Sequence, residues 1–333
     1  MTNRKKIFFR ADGNSEIGLG HVIRSLALAE MLKEDFDCIF ATRFLTDYIR
    51  TEVRKVCGDI IKLPESDDHF EAFLSILSGE EIVVLDNYFF TTEYQQKIKD
   101  IDCKLVCIDD MHNKHFVADI IINHAPQVKP SDYSVEKHTT LCLGFKYLLL
   151  RSIFFSSLLN RKIQKKVNTF FVCFGGSDYN NLTQQTIEVL LSGHYIIYAV
   201  IGDANRNNDD LSSKFGKHPN IFILYGLSAI EMFDIMQKSD MAIVPASSVL
   251  LEVIAVKMPV ITGYYADNQK EGCLYCVNQG LALYVDMINE YKTHLEKILS
   301  TVNNLVCDKL IQMQEGLIQN PKPLYLDVFQ KLI

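Results

Sequence analysis

The chain has 333 residues, 48% apolar and 23% charged, which points to two domains of roughly 100–200 residues with a buried core each and excludes a disordered chain. A net charge of −7 argues against a nucleic-acid partner, so any anionic ligand has to be held by local dipoles and amides. No apolar run approaches the ~20 residues of a membrane span, and the opening Met1-Thr2-Asn3-Arg4-Lys5-Lys6 carries no signal-peptide core, so a cytoplasmic protein is expected.

From the N-terminus, apolar runs at 5–10, 37–42, 58–63, 81–86, 103–108, 119–123 and 140–143 predict strands. Amphipathic stretches at 20–34, 45–56, 67–78 and 91–100 predict helices between them. The continuous run Ile82-Val83-Val84-Leu85 points to a parallel sheet covered on both faces. Between Tyr147 and Lys166 the pattern lapses, and the charged Arg161-Lys162-Ile163-Gln164-Lys165-Lys166 precedes a fresh start, which sets the expected domains at 1–160 and 167–333. The second half repeats the alternation, with strands at 168–174, 195–201, 220–224, 240–244 and 258–263. Its helices fall at 180–192, 208–216, 228–238, 247–257 and 267–279, and the tail after Glu290 reads as two more. Two such β/α series predict an α/β protein of two doubly wound, Rossmann-like domains facing a cleft.

The first candidate site opens where Ile7-Phe8-Phe9 runs through Arg10-Ala11-Asp12 into a glycine-bearing loop that delivers His21 to the first turn of a helix. The partial positive charge of a helix N-terminus disfavours imidazolium, which would hold His21 neutral and suit it to act as a general base. On the plainer reading, His21 caps the helix while Gly18 and Gly20 only make the turn. Asp86-Asn87-Tyr88 and Asp109-Asp110 also end apolar strands, and in doubly wound sheets those carboxyl ends line the ligand crevice. Asp12, Asp86 and Tyr88 are therefore expected to converge with His21. For Asp109 and Asp110, loop solvation and helix capping stand equally open.

In the second half, Gly175-Gly176-Ser177-Asp178 follows a strand directly, without the lysine of a Walker loop or the spacing of a dinucleotide fingerprint. Glycines there let backbone N–H groups turn toward an anion at a helix start. Pro245-Ala246-Ser247-Ser248 repeats the arrangement, and Glu252, one turn inside the helix, is spaced to accept hydrogen bonds from a ribose. Together the two corners look like a nucleotide-diphosphate site. Most of the nine cysteines sit in apolar runs, and Cys273-x-x-Cys276 has no second pair, so it reads as core and not as a zinc or redox site. His69, His112, His115, His138, His194, His218 and His294 read as surface residues; His124, just after a strand, is left ambiguous.

In order, Arg10-Ala11-Asp12, Gly18-x-Gly20-His21-x-x-Arg24, Asp86-Asn87-Tyr88, Asp109-Asp110, Tyr147-x-x-x-Arg151, Gly175-Gly176-Ser177-Asp178, Ala246-Ser247-Ser248-x-x-x-Glu252 and Asn268-Gln269 resemble the PseG family. These are UDP-2,4-diacetamido-2,4,6-trideoxy-β-L-altropyranose hydrolases of pseudaminic acid biosynthesis. The resemblance spans about residues 5–285, and several pieces are shared with MurG-type N-acetylglucosaminyltransferases. It implies the GT-B fold, with the nucleotide held mainly by the C-terminal domain and the sugar worked from the N-terminal one. Carried over by position, His21 is the water-activating base and Tyr88 stands near the sugar. Gly20, Arg24 and Asp86 join them on the substrate side. Glu252 takes the ribose; Gly175, Gly176, Ser177, Ser247 and Ser248 surround the diphosphate. Leu227 falls where main chain holds uracil, and Asn268 and Gln269 contact phosphate or sugar. Ser152-Ile153-Phe154 departs from the family, which often has an acidic residue before that phenylalanine. The tail from about 290 to 333 also exceeds the shortest members and would correspond to cross-domain helices.

The expected reaction is hydrolysis of a UDP-linked diacetamido-trideoxy sugar to UDP and free sugar, inverting at the anomeric carbon. No cofactor is expected, and the absence of a magnesium-type carboxylate cluster in the sequence predicts no metal requirement. A glycosyltransferase of the same fold is the rival, since water and an acceptor hydroxyl need the same base; the lack of an amphipathic membrane face favours the hydrolase.

Overall fold

The computed structural model describes residues 4–14, 18–156, 166–175, 178–202 and 208–333. The chain divides into two compact units, Met1–Ser152 with Gln319–Ile333, and Ile153–Ile318.

The first unit alternates β1 (Lys6–Ala11), α1 (Gly20–Leu32), β2 (Asp37–Thr42), α2 (Asp47–Arg54), β3 (Asp59–Lys62), α3 (His69–Leu74), β4 (Ile82–Asp86) and α4 (Thr92–Asp100). It continues through β5 (Lys104–Ile108), β6 (His115–Phe116), β7 (Ile120–Asn123), β8 (Ser134–Val135) and β9 (Thr140–Leu143). Seven strands form one parallel sheet in the order β3-β2-β1-β4-β5-β7-β9, and β6 pairs with β8 in a small sheet of its own. The four-residue apolar run in β4 is buried throughout, as strands covered on both faces require. Phe8, Phe73, Val83, Leu85, Leu105 and Ile121 meet in the core on one side of the sheet. Each fully buried side chain of this size is worth roughly 1.5–3 kcal/mol.

The second unit runs β10 (Thr169–Val172), α5 (Leu182–Leu190), β11 (Ile196–Ile201), α6 (Asn208–Phe215), β12 (Ile221–Tyr225), α7 (Ala229–Lys238), β13 (Met241–Pro245) and α8 (Ser248–Ala255). Then come β14 (Val260–Gly263), α9 (Asp267–Asn278), β15 (Leu283–Tyr284), α10 (Tyr291–Thr301) and α11 (Asn304–Gln314). Its parallel sheet is ordered β12-β11-β10-β13-β14-β15, over a core in which Phe170, Val172, Ile243 and Ile261 pack with Leu182 and Ile187. The expected α/β class with two doubly wound sheets is borne out.

The tail differs from its expectation. It holds three helices, not two, and the third, α12 (Lys322–Gln330), is part of the first unit. The Tyr325 hydroxyl donates to the Tyr147 carbonyl at 2.6 Å, and Phe329 packs edge-on against Phe36 at 6.2 Å. Sequence distance hides this return, because what decides it is the apolar face that Tyr325 and Phe329 bury completely. Cys273 and Cys276, on α9, are buried with free thiols.

Candidate active site

In each sheet the chain runs outward in one direction, returns to the middle and runs outward in the other. Such a reversal opens a crevice at the carboxyl ends of the two central strands. In the first unit those strands are β1 and β4, and Ala11 stands beside Asp86 in register. In the second they are β10 and β13. Asp12, His21, Arg24, Asp86 and Tyr88 lie at the first of these corners and Gly175, Ser247, Ser248 and Glu252 at the second, whereas Leu227 follows β12 and Asn268 and Gln269 follow β14.

At the first corner, β4 ends on the buried Asp86 carboxylate, and α1 brings His21, Arg24 and Ser25 onto it. His21 Nδ1 lies 2.7 Å from Asp86 Oδ1. A carboxylate only accepts, so Nδ1 carries a hydrogen and donates it, with Arg24 Nη2 also 3.1 Å from Nδ1, and Nε2 is the ring nitrogen that this pairing does not use. Arg24 grips the same carboxylate with Nε and Nη2 at 2.7 and 2.5 Å, and Ser25 Oγ donates at 3.2 Å. Burial by itself would raise the Asp86 pKa; the Arg24 charge and hydrogen bonds outweigh it and hold the carboxyl below its ordinary range. Arg24 Nη1 donates to Asp110 Oδ2 at 2.9 Å, and the Tyr88 hydroxyl reaches the same oxygen at 3.2 Å. The half-exposed Tyr88 ring meets the His21 ring edge to face, centroids 4.8 Å apart. Burial, reinforced by the Asp110 charge, pushes the Tyr88 phenol up to about 12, so it stays protonated as a donor.

Several sequence expectations change here. Arg24, placed among substrate contacts, has its guanidinium committed to Asp86 and Asp110, so it orients the site. Gly20 has no positive φ, and a Cβ there would meet nothing within 4 Å, so neither the backbone nor the packing requires a glycine at this position. Gly18, at φ +82°, is the glycine that the turn itself requires. Asp12, placed among the reacting groups, is fully buried and saturated. It accepts from Arg10 Nη1 and Nη2 at 2.7 and 2.9 Å, from Arg43 N and Nε at 2.7 Å each, and from Thr42 Oγ1 at 3.1 Å. Burial raises its pKa, but the two guanidinium groups pull it below the ordinary range, which leaves no oxygen ready to take a proton. His69, read as a surface residue, is buried beneath this cluster with Nδ1 3.1 Å from Arg10 Nη2 and its ring 3.9 Å from that of Phe70. A charged strand residue between Phe9 and Ala11 was the available signal, since a buried guanidinium needs partners from elsewhere in the chain.

Two residues that the sequence named only as parts of strand-end motifs acquire definite contacts here. Asn87 Oδ1 accepts from the Asp12 N–H at 2.7 Å and so ties the β1 loop to the end of β4. Asp110 bridges Arg24 and Tyr88, while its neighbour Asp109 is a structural cap, accepting from the Tyr133 hydroxyl at 2.9 Å and the His112 N–H at 2.7 Å.

The second corner is built differently. Gly175 turns at φ +76°, with open space where a Cβ would stand. Gly176 and Ser177 lie outside the described residues. Asp178 Oδ1 caps the following helix, accepting from the Thr183 N–H at 3.0 Å. Across the corner, Ser247 is the N-cap of α8 without a side-chain cap bond, Ser248 is exposed, and Glu252 is buried one turn inside. Burial pushes the Cys173 thiol, just past the end of β10, up to about 12; a backbone hydrogen bond with Gly175 pulls it down, and the Glu252 and Asp178 carboxylates push it up. Leu227 is half-buried between Gly226, at φ +57°, and the Ser228/Glu231 capping box that starts α7. Asn268 is exposed at the start of α9, whereas Gln269 turns Oε1 back to accept from the Tyr265 N–H at 3.2 Å. A cavity of about 560 Å³ beside the start of α5, lined by Asn180, Gln185, Tyr291 and Lys292, contains none of these residues.

No protein-family model matches the chain. It is 28% identical over 282 residues to the UDP-2,4-diacetamido-2,4,6-trideoxy-beta-L-altropyranose hydrolase of Campylobacter jejuni, covering 83% of this chain and 97% of that one. It is also 28% identical over 282 residues to an uncharacterized protein of Methanocaldococcus jannaschii, covering 80% of this chain but only 57% of that relative's length. Among solved structures, Acinetobacter baumannii MurG superposes with a TM-score of 0.69 at 14% identity, covering 98% of this chain and 99% of that one. The fold is therefore that of the GT-B glycosyltransferases, and the resemblance to the PseG hydrolases extends over most of the chain. Among the described residues, no helix is long and apolar enough to cross a membrane.

Proposed function

We propose that this chain processes a UDP-sugar, and that it hydrolyses a UDP-linked 2,4-diacetamido-2,4,6-trideoxy sugar at the anomeric carbon. The observation that carries the reading is the His21–Asp86 pair, which leaves Nε2 of His21 as the free acceptor at the first unit's corner. Similarity to a hydrolase of such a substrate supports the same reaction class. His21 Nε2 takes a proton from water as the water oxygen bonds to C1. The C1–O bond to the diphosphate breaks, and its electron pair leaves with UDP. Attack from the opposite face inverts the anomeric centre. Nucleotide binding is assigned to the second unit, with Glu252 on the ribose, Leu227 beside uracil, and Gly175, Ser247 and Ser248 near the diphosphate. The α8 N-terminus and loop amides would stabilise the charge growing on the leaving group. The test is incubation with UDP-sugars in the absence of any acceptor, followed by NMR. Release of free sugar and UDP in equal amounts is expected. UDP release that appears only when an acceptor is added would replace hydrolysis with glycosyl transfer.

A further inference from the structure

We infer that His124 is a substrate-binding residue of the first unit's corner, donating a hydrogen bond from Nε2 to an uncharged oxygen of the sugar. The inference rests on the reading of a UDP-sugar substrate and adds to it a second imidazole with a task distinct from that of His21.

His124 follows Asn123, the last residue of β7, and β7 pairs with β5 through Ile122 and Ile108. It therefore stands on the carboxyl edge of the sheet, one strand beyond Asp109 and Asp110. Its loop is pinned on both sides, with Asn123 Nδ2 donating to the Tyr133 hydroxyl and the Ala125 N–H donating to Asn123 Oδ1, each at 2.9 Å. The Leu149 N–H donates to His124 Nδ1 at 3.1 Å. That bond needs the Nδ1 lone pair, so the ring proton sits on Nε2, on the other side of the imidazole. Among the described residues Nε2 has no hydrogen-bond partner.

The charges around the ring define what this free N–H can serve. Burial, followed by the Arg24 charge, holds His124 down at about 4, while Asp110 and Asp86 push back less strongly. Near neutrality the ring is an uncharged donor that takes no proton from the reaction. It suits a hydroxyl or acyl carbonyl, and a phosphate would be better served by a cation. If His124 served only to tie down Leu149, Nδ1 would account for its whole contribution and Nε2 for none.

Two substitutions separate these roles. In His124→Asn the amide oxygen can still accept from the Leu149 N–H, but no donor remains at the Nε2 position. In His124→Gln the longer amide restores a donor near Nε2 and gives up the Leu149 bond. We expect His124→Asn to raise KM for the UDP-sugar about tenfold with kcat within a few-fold of wild type, as loss of one neutral hydrogen bond implies. Inhibition by UDP alone should not change, and His124→Gln should restore most of the lost affinity. An Asn variant with wild-type KM overturns the inference, whether or not the Gln variant folds, and so does the reverse order of the two. If the wild-type protein releases no UDP from any UDP-sugar, the functional reading fails and this inference fails with it; wild-type turnover with an unaffected Asn variant sinks the inference alone.

Discussion

The two crevice corners occupy the same topological position and are made of different materials. In the first unit, α1 and the strand ends deliver charged side chains onto one another, and Asp86 is the hub that holds His21, Arg24 and Ser25. In the second, the described residues supply a left-handed glycine, a helix start without a side-chain cap, and two buried carboxylates, Asp178, which accepts from the Thr183 N–H, and Glu252. Side-chain machinery places a proton acceptor at a chosen atom, whereas main-chain amides surround a diffuse anion without adding charge. The difference teaches where substitutions should hurt: single side chains should matter far more in the first corner than in the second.

The largest effect is expected at His21. His21→Asn keeps a polar group of similar reach that cannot take a proton near neutrality, so turnover should fall on the order of 10²–10⁴-fold with UDP affinity nearly unchanged. Turnover within a few-fold of wild type would reduce His21 to a structural partner of Asp86. Asp86→Asn should come close behind, with a loss of about 10²-fold or more, because the amide no longer enforces the Nδ1–H tautomer. It also leaves Arg24 a poorer buried partner, so circular dichroism must show a folded variant before the rate is read.

At the second corner the Glu252 carboxylate is the exception. Glu252→Ala should weaken UDP binding by about 10–100-fold in calorimetry, since two ribose hydroxyls lose their acceptor. Equal affinity would remove Glu252 from the site. The pH dependence of stability tests the cluster behind the first corner. Burial, with the Arg10 and Arg43 charges, lowers His69 from 6.5 to about 4. Below pH 6.5 the unfolded chain takes a proton that the folded one refuses, so stability present above that pH drains away down to about pH 4. Denaturant unfolding should lose on the order of 1–3 kcal/mol across this window, His124 acting in the same direction, and His69→Gln should flatten the slope. A slope identical to wild type in His69→Gln would clear His69 of any part in it. The smallest effects are expected where main chain does the binding. Ser247→Ala and Leu227→Met should change UDP affinity by no more than a few-fold, and a large loss in either would make the second corner resemble the first.

Much of the fold was legible from local pattern. The buried run in β4 and the alternation of strands and helices stand where periodicity put them, because parallel strands covered on both faces must be continuously apolar. His21, Asp86, Ser247 and Glu252 could be singled out because strand ends and helix starts are local features that coincide with the crevice. By contrast, saturation of Asp12 depends on Arg43, thirty-one residues away, and burial of His69 depends on Arg10, fifty-nine residues away. Nothing in the spacing of those residues encodes the meeting.

The sequence by itself determined the elements, their parallel pairing and the polar residues at each strand end, since backbone hydrogen bonding and hydrophobic periodicity act over a few residues. Tertiary structure alone decided which polar groups neutralise one another and which keep a free valence. Asp12, Arg24 and Asp86 are spent on partners within the protein, while His21 and His124 are held through Nδ1, and we assign their Nε2 atoms to the substrate. The physical reason is that a buried charge is tolerated only beside its counter-charge, and strand order, not sequence distance, chooses that neighbour.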